Sequence, residues 1–208
     1  MATQNPTDHP SGISRRGFLK GVGAGAVATG LMQEVRESAG IAEAQTKTTS
    51  GPGEVSITLN VNGKDRTLKA EPRVTLLDAL RNRLDVTGAK KVCDRATCGA
   101  CTVMVDDQVV YACTLLAIEA QGHKIVTPEG LGTPENMNTT QAAFVKHDAL
   151  QCGFCTPGFM VATHAFVRDH PNATIEDVRA GLGGNLCRCG TYAGITAAAF
   201  EAAKKGGS

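Results

Sequence analysis

The chain has 208 residues and a formal net charge of +1 at pH 7, so it lacks the basic excess that binds nucleic acid. Aromatic residues make up 4% of the chain and tryptophan is absent, which disfavours an aromatic surface for stacking bases or sugars. No nucleic-acid partner is therefore expected.

The first 44 residues have the pattern of a twin-arginine export signal. The stretch Ser14-Arg15-Arg16-Gly17-Phe18-Leu19-Lys20 is followed by an apolar run at 21–32 and by Ala42-Glu43-Ala44. The run is far shorter than the roughly 20 residues that a spanning helix needs, so no stable membrane anchor is expected. The pattern predicts cleavage after Ala44 and a periplasmic protein. A solvated basic pair is the simpler alternative if Arg15-Arg16 is taken alone.

Residues 45–53 are rich in Thr, Ser, Gly and Pro and are predicted to be a flexible lead-in. From Glu54 apolar and polar residues alternate as far as Val61, and Asn62-Gly63 is typical of a two-residue hairpin turn before a returning strand at 64–70. Thr75-x-x-Asp78 resembles a capping box for a short helix. The leucines expected to cover the sheet are Leu76, Leu77, Leu80 and Leu84.

A cysteine-rich loop comes next, followed by a second predicted hairpin. Cys93, Cys98 and Cys101 lie in the loop, and strands at 102–105 and 109–112 flank Asp106-Asp107-Gln108. Cys113 directly follows the second of these strands. A last short strand is predicted at 124–128. Residues 54–130 are thus predicted to form an α+β domain.

Residues 131–208 have helical periodicity and predict a bundle of four helices. Thr156-Pro157 is interpreted as the cap of the second helix with proline at its first position. Thr174-x-x-Asp177 is interpreted as the cap of the third helix, and 191–204 as an alanine-rich fourth. The residues expected to face the core are Met137, Thr140, Phe144, Phe159, Ala162, Phe166, Ile175, Val178 and Leu182. The remaining four cysteines fall at helix junctions.

All eight cysteines belong to two sets with the spacing of metal clusters. The first set is Cys93-x4-Cys98-x2-Cys101-x11-Cys113, and the second is Cys152-x2-Cys155 followed later by Cys187-x-Cys189. The C-x4-C-x2-C run is the plant-type [2Fe–2S] spacing, so two [2Fe–2S] clusters are predicted. Four disulfides would suit an exported protein, and zinc would suit the C-x2-C pair. Both alternatives fit the short C-x-C pair poorly.

The residues around the cysteines resemble one family closely. Lys91 to Val103 are similar to the distal-cluster loop in the small iron–sulfur subunit of the molybdenum hydroxylases, the xanthine dehydrogenase/aldehyde oxidase family. Residues 151–158 and 184–189 resemble the two arms of the proximal cluster, and the likeness covers 54–205. Ala96 stands where the family usually has glycine. The order Cys189-Gly190-Thr191-Tyr192 resembles that of exported bacterial aldehyde oxidoreductases.

The resemblance implies a β-grasp ferredoxin-like domain at 54–130 followed by a four-helix [2Fe–2S] domain at 131–208. It implies electron transfer from molybdopterin on a catalytic partner subunit to the C-terminal cluster and then to the N-terminal cluster. The acceptor would be FAD on a further subunit, a cytochrome or another external acceptor. Gln151 and the Cys189 sulfur are expected to contact the pterin. A stand-alone [2Fe–2S] electron carrier is the alternative.

No catalytic residue is predicted on this chain. Its five histidines are scattered and form no pattern with a nucleophile or a carboxylate pair: His9, His123, His147, His164 and His170. Asp106-Asp107 is interpreted as a turn pair. Arg188 and the amides around Gly99 and Gly153 are candidates for tuning the cluster potentials, and a surface or interface salt bridge is the equal alternative for Arg188.

Overall fold

The structure is a computed structural model and describes residues 51–206. The predicted export signal and most of the lead-in therefore lie outside the described residues. Gly51, Pro52 and Gly53, the end of the lead-in, have no regular secondary structure. The described residues belong to one compact unit.

Five strands and five α-helices form this unit within the described residues. The strands are β1 (Val55–Val61), β2 (Lys64–Ala70), β3 (Thr102–Val105), β4 (Gln108–Tyr111) and β5 (Lys124–Val126). The helices are α1 (Leu76–Arg83), α2 (Thr139–Lys146), α3 (Thr156–Asp169), α4 (Ile175–Gly181) and α5 (Tyr192–Lys204). A short 3-10 turn at Pro128–Gly130 follows β5. The predicted α+β class is confirmed.

The five strands form one mixed sheet with the order β2-β1-β5-β3-β4, in which β1 and β5 are parallel and all other neighbours are antiparallel. Both hairpins turn through two residues with positive φ, at 52° and 75° for Asn62-Gly63 and at 47° and 65° for Asp106-Asp107. Such turns match the twist of paired strands. The second hairpin needs no third turn residue, so β4 begins at Gln108 rather than at the predicted 109.

The core of the first half is built as the alternating pattern predicts. Ile57, Leu59 and Val61 of β1 are buried, and Leu76, Leu77 and Leu80 of α1 are fully buried beside them. Thr75 caps α1 by accepting a hydrogen bond from the Asp78 amide at 3.2 Å. The capping box is incomplete because the Asp78 carboxylate pairs with Lys91 instead, at 2.8 Å.

Two predictions at the helix starts of the second half are wrong, namely the inward position of Met137 and the capping role of Thr156. α2 is capped by Asn138 in a capping box with Gln141, so Met137 lies before the helix and is 43% exposed. α3 has Cys155 at its N-cap position without a side-chain capping bond. Thr156 is already helical, and its buried hydroxyl has no hydrogen-bond partner among the described residues. Thr140 and Phe144 are buried as predicted.

The last two helices follow the prediction more closely. Thr174 and Asp177 form a complete capping box at the start of α4. Val178 and Leu182 are buried, but Ile175 is 37% exposed because it lies on the outer side of the first turn. α5 matches the predicted alanine-rich helix. Phe144, Phe159 and Ile195 pack together in the helical core.

The sheet and the helices share a small contact core. Val161 and Ala165 of α3 are buried against Met104 of β3, with Val126 and Leu131 packed beside them. This contact places the start of α3 near the cysteine loop that precedes β3. The predicted division at residue 130 stays a prediction, since strands and helices pack into one unit. No helix between residues 51 and 206 has the length and apolar character needed to cross a membrane.

Candidate metal centres

The first set of cysteines meets where the loop before β3 approaches the end of the β3–β4 hairpin. Thr102 pairs with Tyr111 in the hairpin, and the Ala112 amide donates to the Cys101 carbonyl at 3.2 Å. Cys101 and Cys113 are therefore neighbours across its open end. Both are buried among the apolar residues of the first core, whereas Cys93 and Cys98 are partly exposed.

The four sulfurs of this set form two interacting pairs. Side-chain contacts link Cys93 with Cys98 and Cys101 with Cys113, and a charge interaction joins Cys98 to Cys101. Burial raises the pKa of Cys101 to about 12. Burial by itself would also raise the pKa of Cys93. Hydrogen bonds from backbone amides, chiefly those of Arg95 and Thr97, outweigh burial and lower the pKa of Cys93 to about 7. The set thus has an outer pair and a buried pair.

Backbone amides of the loop point at the sulfurs. The Ala96 N–H donates to Cys113 Sγ at 3.3 Å, and the Thr97 N–H donates to Cys93 Sγ at 3.4 Å. Asp94, Ala96 and Gly99 all have positive φ, at 55°, 54° and 69°, which curls the loop around the sulfurs. Such donors stabilise negative charge on sulfur, as cluster binding requires. These amides were not among those singled out from the sequence.

The second set joins two helix junctions. Cys152 and Cys155 lie between α2 and α3, and Cys187 and Cys189 lie between α4 and α5. Side-chain contacts pair Cys152 with Cys189 and Cys155 with Cys187, while charge interactions connect Cys152 to the inner pair. Cys152 and Cys189 are exposed, and Cys187 is buried. Burial raises the pKa of Cys155 to about 12. Here too an outer and an inner pair face each other.

The start of α5 surrounds Cys187. The Thr191 hydroxyl lies 3.1 Å from Cys187 Sγ, and the Cys187 N–H donates to the Tyr192 hydroxyl at 2.8 Å. Burial acts to raise the pKa of Cys187, but hydrogen bonds from the hydroxyl and amide of Thr191 outweigh it and lower the pKa to about 7. Sequence reasoning missed both residues. Their position just after Cys187-x-Cys189, at a helix start, was the available signal.

The two sets lie against each other. The Leu186 N–H donates to the Cys98 carbonyl at 3.0 Å, and the Asn185 side chain donates to the Gly99 carbonyl at 2.9 Å. Asn185 is 5% exposed and also bonds the Thr102 hydroxyl at 3.2 Å. Nothing in the sequence marked Asn185 as a contact to the other set. A ligand of one predicted cluster is thus hydrogen-bonded to the residue before a ligand of the other.

The arrangement fits two-iron clusters and contains no disulfide among the described residues. All eight cysteines are free thiols, so no disulfide forms among them. A [2Fe–2S] cluster takes four cysteine thiolates, two on each iron. Two facing pairs of sulfurs in each set meet that requirement.

The surface around the second set is open and apolar. Gln151 is exposed beside Cys152, and Leu150, Phe154 and Leu186 are 41%, 52% and 50% exposed. The Phe154 amide donates to Cys152, next to the predicted Gly153. The Arg188 side chain is exposed and forms no ion pair with the part of the chain that the structure describes. The predicted pterin contacts of Gln151 and Cys189 stay predictions.

None of the four described histidines adjoins a nucleophile. His123 pairs with Asp106, and His147 pairs with Glu201 at 2.6 Å. The other two lie beside Asn138 and Phe166: His164 and His170. His9 lies outside the described residues. A groove of about 520 Å³ between α4 and α5 is lined mainly by apolar residues, with Asn185 and Thr196 as polar residues and Arg179 as the one charged residue in its wall.

Comparison with known proteins assigns both halves to cluster-binding families. Residues 59–124 match the 2Fe-2S iron-sulfur cluster binding domain, a β-grasp domain, and residues 127–200 match the [2Fe-2S] binding domain. The chain is 40% identical to the iron-sulfur-binding subunit of an aldehyde oxidoreductase from Escherichia coli K12, over 94% of this chain and 90% of that subunit. It is 42% identical to the small subunit of nicotine 6-hydroxylase from Paenarthrobacter nicotinovorans, over 74% of this chain and 94% of that one.

Solved structures give the same relationship. Quinoline 2-oxidoreductase from Pseudomonas putida 86 superposes with a TM-score of 0.69 at 39% identity, covering 74% of this chain and 99% of that chain. The aldehyde oxidoreductase of Desulfovibrio desulfuricans ATCC 27774 superposes with a TM-score of 0.68 at 40% identity, covering 71% of this chain. The match spans 17% of that longer chain.

Proposed function

Because the chain belongs to the small [2Fe–2S] iron–sulfur subunits of the molybdenum hydroxylases and is therefore an electron-transfer subunit, we propose that its eight cysteines hold two [2Fe–2S] clusters. Cys93, Cys98, Cys101 and Cys113 hold the first cluster. Cys152, Cys155, Cys187 and Cys189 hold the second. The observation that carries the proposal is the pairing of all eight sulfurs into two sets within one compact unit.

Each sulfur pair supplies the two thiolates of one iron. The pairs are Cys93/Cys98, Cys101/Cys113, Cys152/Cys189 and Cys155/Cys187. When bound, each cluster accepts and passes on one electron at a time. The chain fixes the four sulfurs of each set and directs N–H groups at them, and the Leu186–Cys98 hydrogen bond holds the two sets side by side.

We assign the second set to the side of a molybdopterin-binding catalytic subunit. Cys152 and Cys189 are exposed, and the apolar side chains of Leu150, Phe154 and Leu186 around them are left for a partner to cover. Gln151 and the Cys189 sulfur then contact the pterin. The first set, with Cys93 and Cys98 partly exposed, faces the acceptor, which is an FAD subunit or a cytochrome.

An aldehyde is the proposed substrate class of the complex. Two relatives named as aldehyde oxidoreductases support it, the Escherichia coli iron-sulfur-binding subunit and the Megalodesulfovibrio gigas enzyme, each 40% identical to this chain. Assaying the purified complex with aldehydes, purines and N-heterocycles tests this. Turnover of purines or N-heterocycles without aldehyde turnover contradicts it.

Iron analysis tests the ligand sets. Anaerobically purified, fully loaded protein should contain about four irons and four acid-labile sulfides. Cys113→Ser should remove one electron paramagnetic resonance (EPR) signal and Cys187→Ser the other. Thr114→Ser, beside Cys113, is the matched control and should keep both. Fewer than two irons per set contradicts the cluster assignment, and a chain that purifies from its own operon without a molybdopterin subunit supports a stand-alone carrier instead.

We also propose export to the periplasm by the twin-arginine pathway. Support comes from Ser14 to Lys20, the apolar run and Ala42-Glu43-Ala44, and from cluster insertion, which must precede export of a folded chain. Cell fractionation should find wild-type protein in the periplasm beginning at Gln45. Replacing both Arg15 and Arg16 with lysine should leave the precursor in the cytoplasm, whereas Lys20→Arg should not. Periplasmic accumulation of the double variant contradicts this route.

A further inference from the structure

Thr191 occupies a capping position but does not cap. It is the N-cap residue of the 13-residue helix α5, and its side chain makes no capping hydrogen bond. Threonine is common at this position because its hydroxyl usually accepts a hydrogen bond from an amide of the first turn. Here the hydroxyl lies instead 3.1 Å from Cys187 Sγ. The side chain gives up a stabilising bond to its helix and contacts a proposed cluster ligand.

The direction of this hydrogen bond follows from the chemistry of ligation. A cysteine bound to iron is a thiolate without a proton, so the Thr191 hydroxyl must donate and the sulfur must accept. Cys187 is 8% exposed, so water competes little for the sulfur. The positive end of the α5 dipole lies on the same side. The Tyr192 hydroxyl, bonded to the Cys187 amide at 2.8 Å, fixes the backbone that carries the sulfur.

This contact comes from a side chain rather than from the backbone. Thr191 brings a side-chain hydroxyl within hydrogen-bonding distance of a cysteine sulfur. The donors to Cys113 and Cys93 are backbone amides. Cys152 and Cys189 are exposed to solvent or a partner. Thr191 can therefore be changed without removing a ligand or an amide donor.

Resting on the cluster assignment above, we propose that Thr191 is a positioning residue that raises the reduction potential of the second cluster. One-electron reduction adds a negative charge that is shared with the cysteine sulfurs. A hydrogen bond donated to Cys187 Sγ is therefore stronger in the reduced form than in the oxidised form. This difference in hydrogen-bond strength favours reduction of the second cluster by its electron donor. The reduction potential of the first cluster is unaffected.

Redox titration of the assembled complex, followed by EPR, tests the proposal. Thr191→Val keeps the shape of the side chain and removes the donor. It should lower the equilibrium constant for one-electron reduction of the second cluster by about tenfold, which lowers the reduction potential by about 59 mV. Thr191→Ser keeps the hydroxyl and should restore the wild-type value. The first cluster should keep its potential in every variant. Thr196→Val, on the same helix away from Cys187, is the matched control.

A spectroscopic measurement separates hydrogen bonding from packing. Electron–nuclear double resonance of the reduced second cluster should detect a coupled proton that exchanges in D₂O in wild type and Thr191→Ser. That coupling should be absent in Thr191→Val. An unchanged potential in Thr191→Val, or an equal shift in Thr191→Ser, overturns the role of Thr191 alone. Retention of both cluster signals in Cys187→Ser overturns the assignment of Cys187 as a ligand, and the inference with it.

Discussion

At the scale of single residues, the loop of the first set accepts backbone strain in order to point amides at sulfur. Asp94 and Ala96 have φ values of 55° and 54°, a conformation that costs a residue with a Cβ roughly 1–2 kcal/mol. The conformation directs the Ala96 N–H to Cys113 Sγ at 3.3 Å. The hydrogen bond that the Ala96 amide donates to the Cys113 sulfur offsets the strain.

Replacing Ala96 with glycine should therefore stabilise the loop slightly. Relief of about 1–2 kcal/mol of strain is partly cancelled by about 0.5–1 kcal/mol for the greater freedom of unfolded glycine. The expected net gain is at most about 1.5 kcal/mol. It is measured as a rise in the guanidinium concentration at which half of the visible circular dichroism of the clusters is lost. Ala100→Gly is the control: Ala100 is buried and lacks positive φ, so this change should destabilise. A lower midpoint for Ala96→Gly than for wild type contradicts the strain argument.

At the scale of elements, the starts of α4 and α3 differ in whether the predicted threonine cap forms. The Thr174 hydroxyl accepts a hydrogen bond from the Asp177 amide at 3.2 Å, and the Asp177 carboxylate accepts one from the Thr174 amide at 2.9 Å. Thr156 lies inside its helix, with its hydroxyl buried and without a partner among the described residues. Two threonines that were both predicted to cap helices therefore contribute differently to stability.

The same substitution at these two threonines should have different results. Thr174→Val removes a capping side chain and should cost about 1 kcal/mol of unfolding free energy. Thr156→Val replaces a buried, unpartnered hydroxyl with a methyl group of the same shape, so its effect should be below about 1 kcal/mol. Chemical unfolding of both variants beside wild type measures the difference. Equal losses would show that Thr156 has a partner in solution.

A pH-dependent contact joins α2 to α5. Glu201 accepts hydrogen bonds from Lys146, Lys205 and His147 at 2.8, 2.7 and 2.6 Å, and these partners lower the pKa of its carboxyl group to about 2. A carboxyl group whose pKa is lower in the folded state stabilises that state above its unfolded pKa, near 4.5. The contribution is lost as the pH falls from about 4.5 towards 2.

Glu201→Gln should remove this pH dependence. At pH 6 the amides of α5 should exchange with solvent faster in the variant than in wild type, and the difference should shrink as the pH falls below about 4.5. Comparing both proteins at the same pH by hydrogen-exchange mass spectrometry cancels the intrinsic pH dependence of exchange. Glu135→Gln, at an exposed residue without a described ion pair, should match wild type. A difference that persists unchanged at pH 3 contradicts the assigned pKa.

At the scale of the whole molecule, the two cysteine sets are held together by a tight contact between the loop before β3 and the first turn of α3. Gly158 packs so closely on the first loop that a Cβ there would lie 2.3 Å from the Gly99 carbonyl oxygen and 3.1 Å from Ala100 Cα. Both neighbours are backbone atoms of the cysteine loop. The separation of the two sets therefore depends on the absence of a side chain at position 158.

Gly158→Ala should push the two sets apart. Although alanine favours a helix by about 1 kcal/mol, overpacking against backbone should cost about 1–3 kcal/mol, so a net loss of stability is expected. The magnetic interaction between the two reduced clusters, measured by EPR, should weaken at the same time. Gly183→Ala is the control, since its nearest contact is 3.3 Å and its φ is not positive. Unchanged stability and coupling in Gly158→Ala would contradict the contact.

Much of this protein is determined by patterns that lie close together in the chain. The alternation in β1 and the turn residues Asn62-Gly63 and Asp106-Asp107 each depend on a few consecutive residues, and the hairpins follow them. The predicted cap at Thr156 and the inward positions of Met137 and Ile175 were wrong. Each depends on where the helix axis points relative to the rest of the fold, which a local pattern does not contain.

The sequence by itself determined two sets of four cysteines, a sheet-forming half and a helical half. Only the tertiary structure decided that the sets lie against each other and which groups contact the sulfurs. Asn185 reaches the Gly99 carbonyl across 86 positions, and it does so because α3 packs on β3 and brings both loops to one place. Thr191 contacts Cys187 because the chain turns into α5 there. Contacts of this kind arise from packing, since no spacing along the chain encodes the direction of a side chain in space.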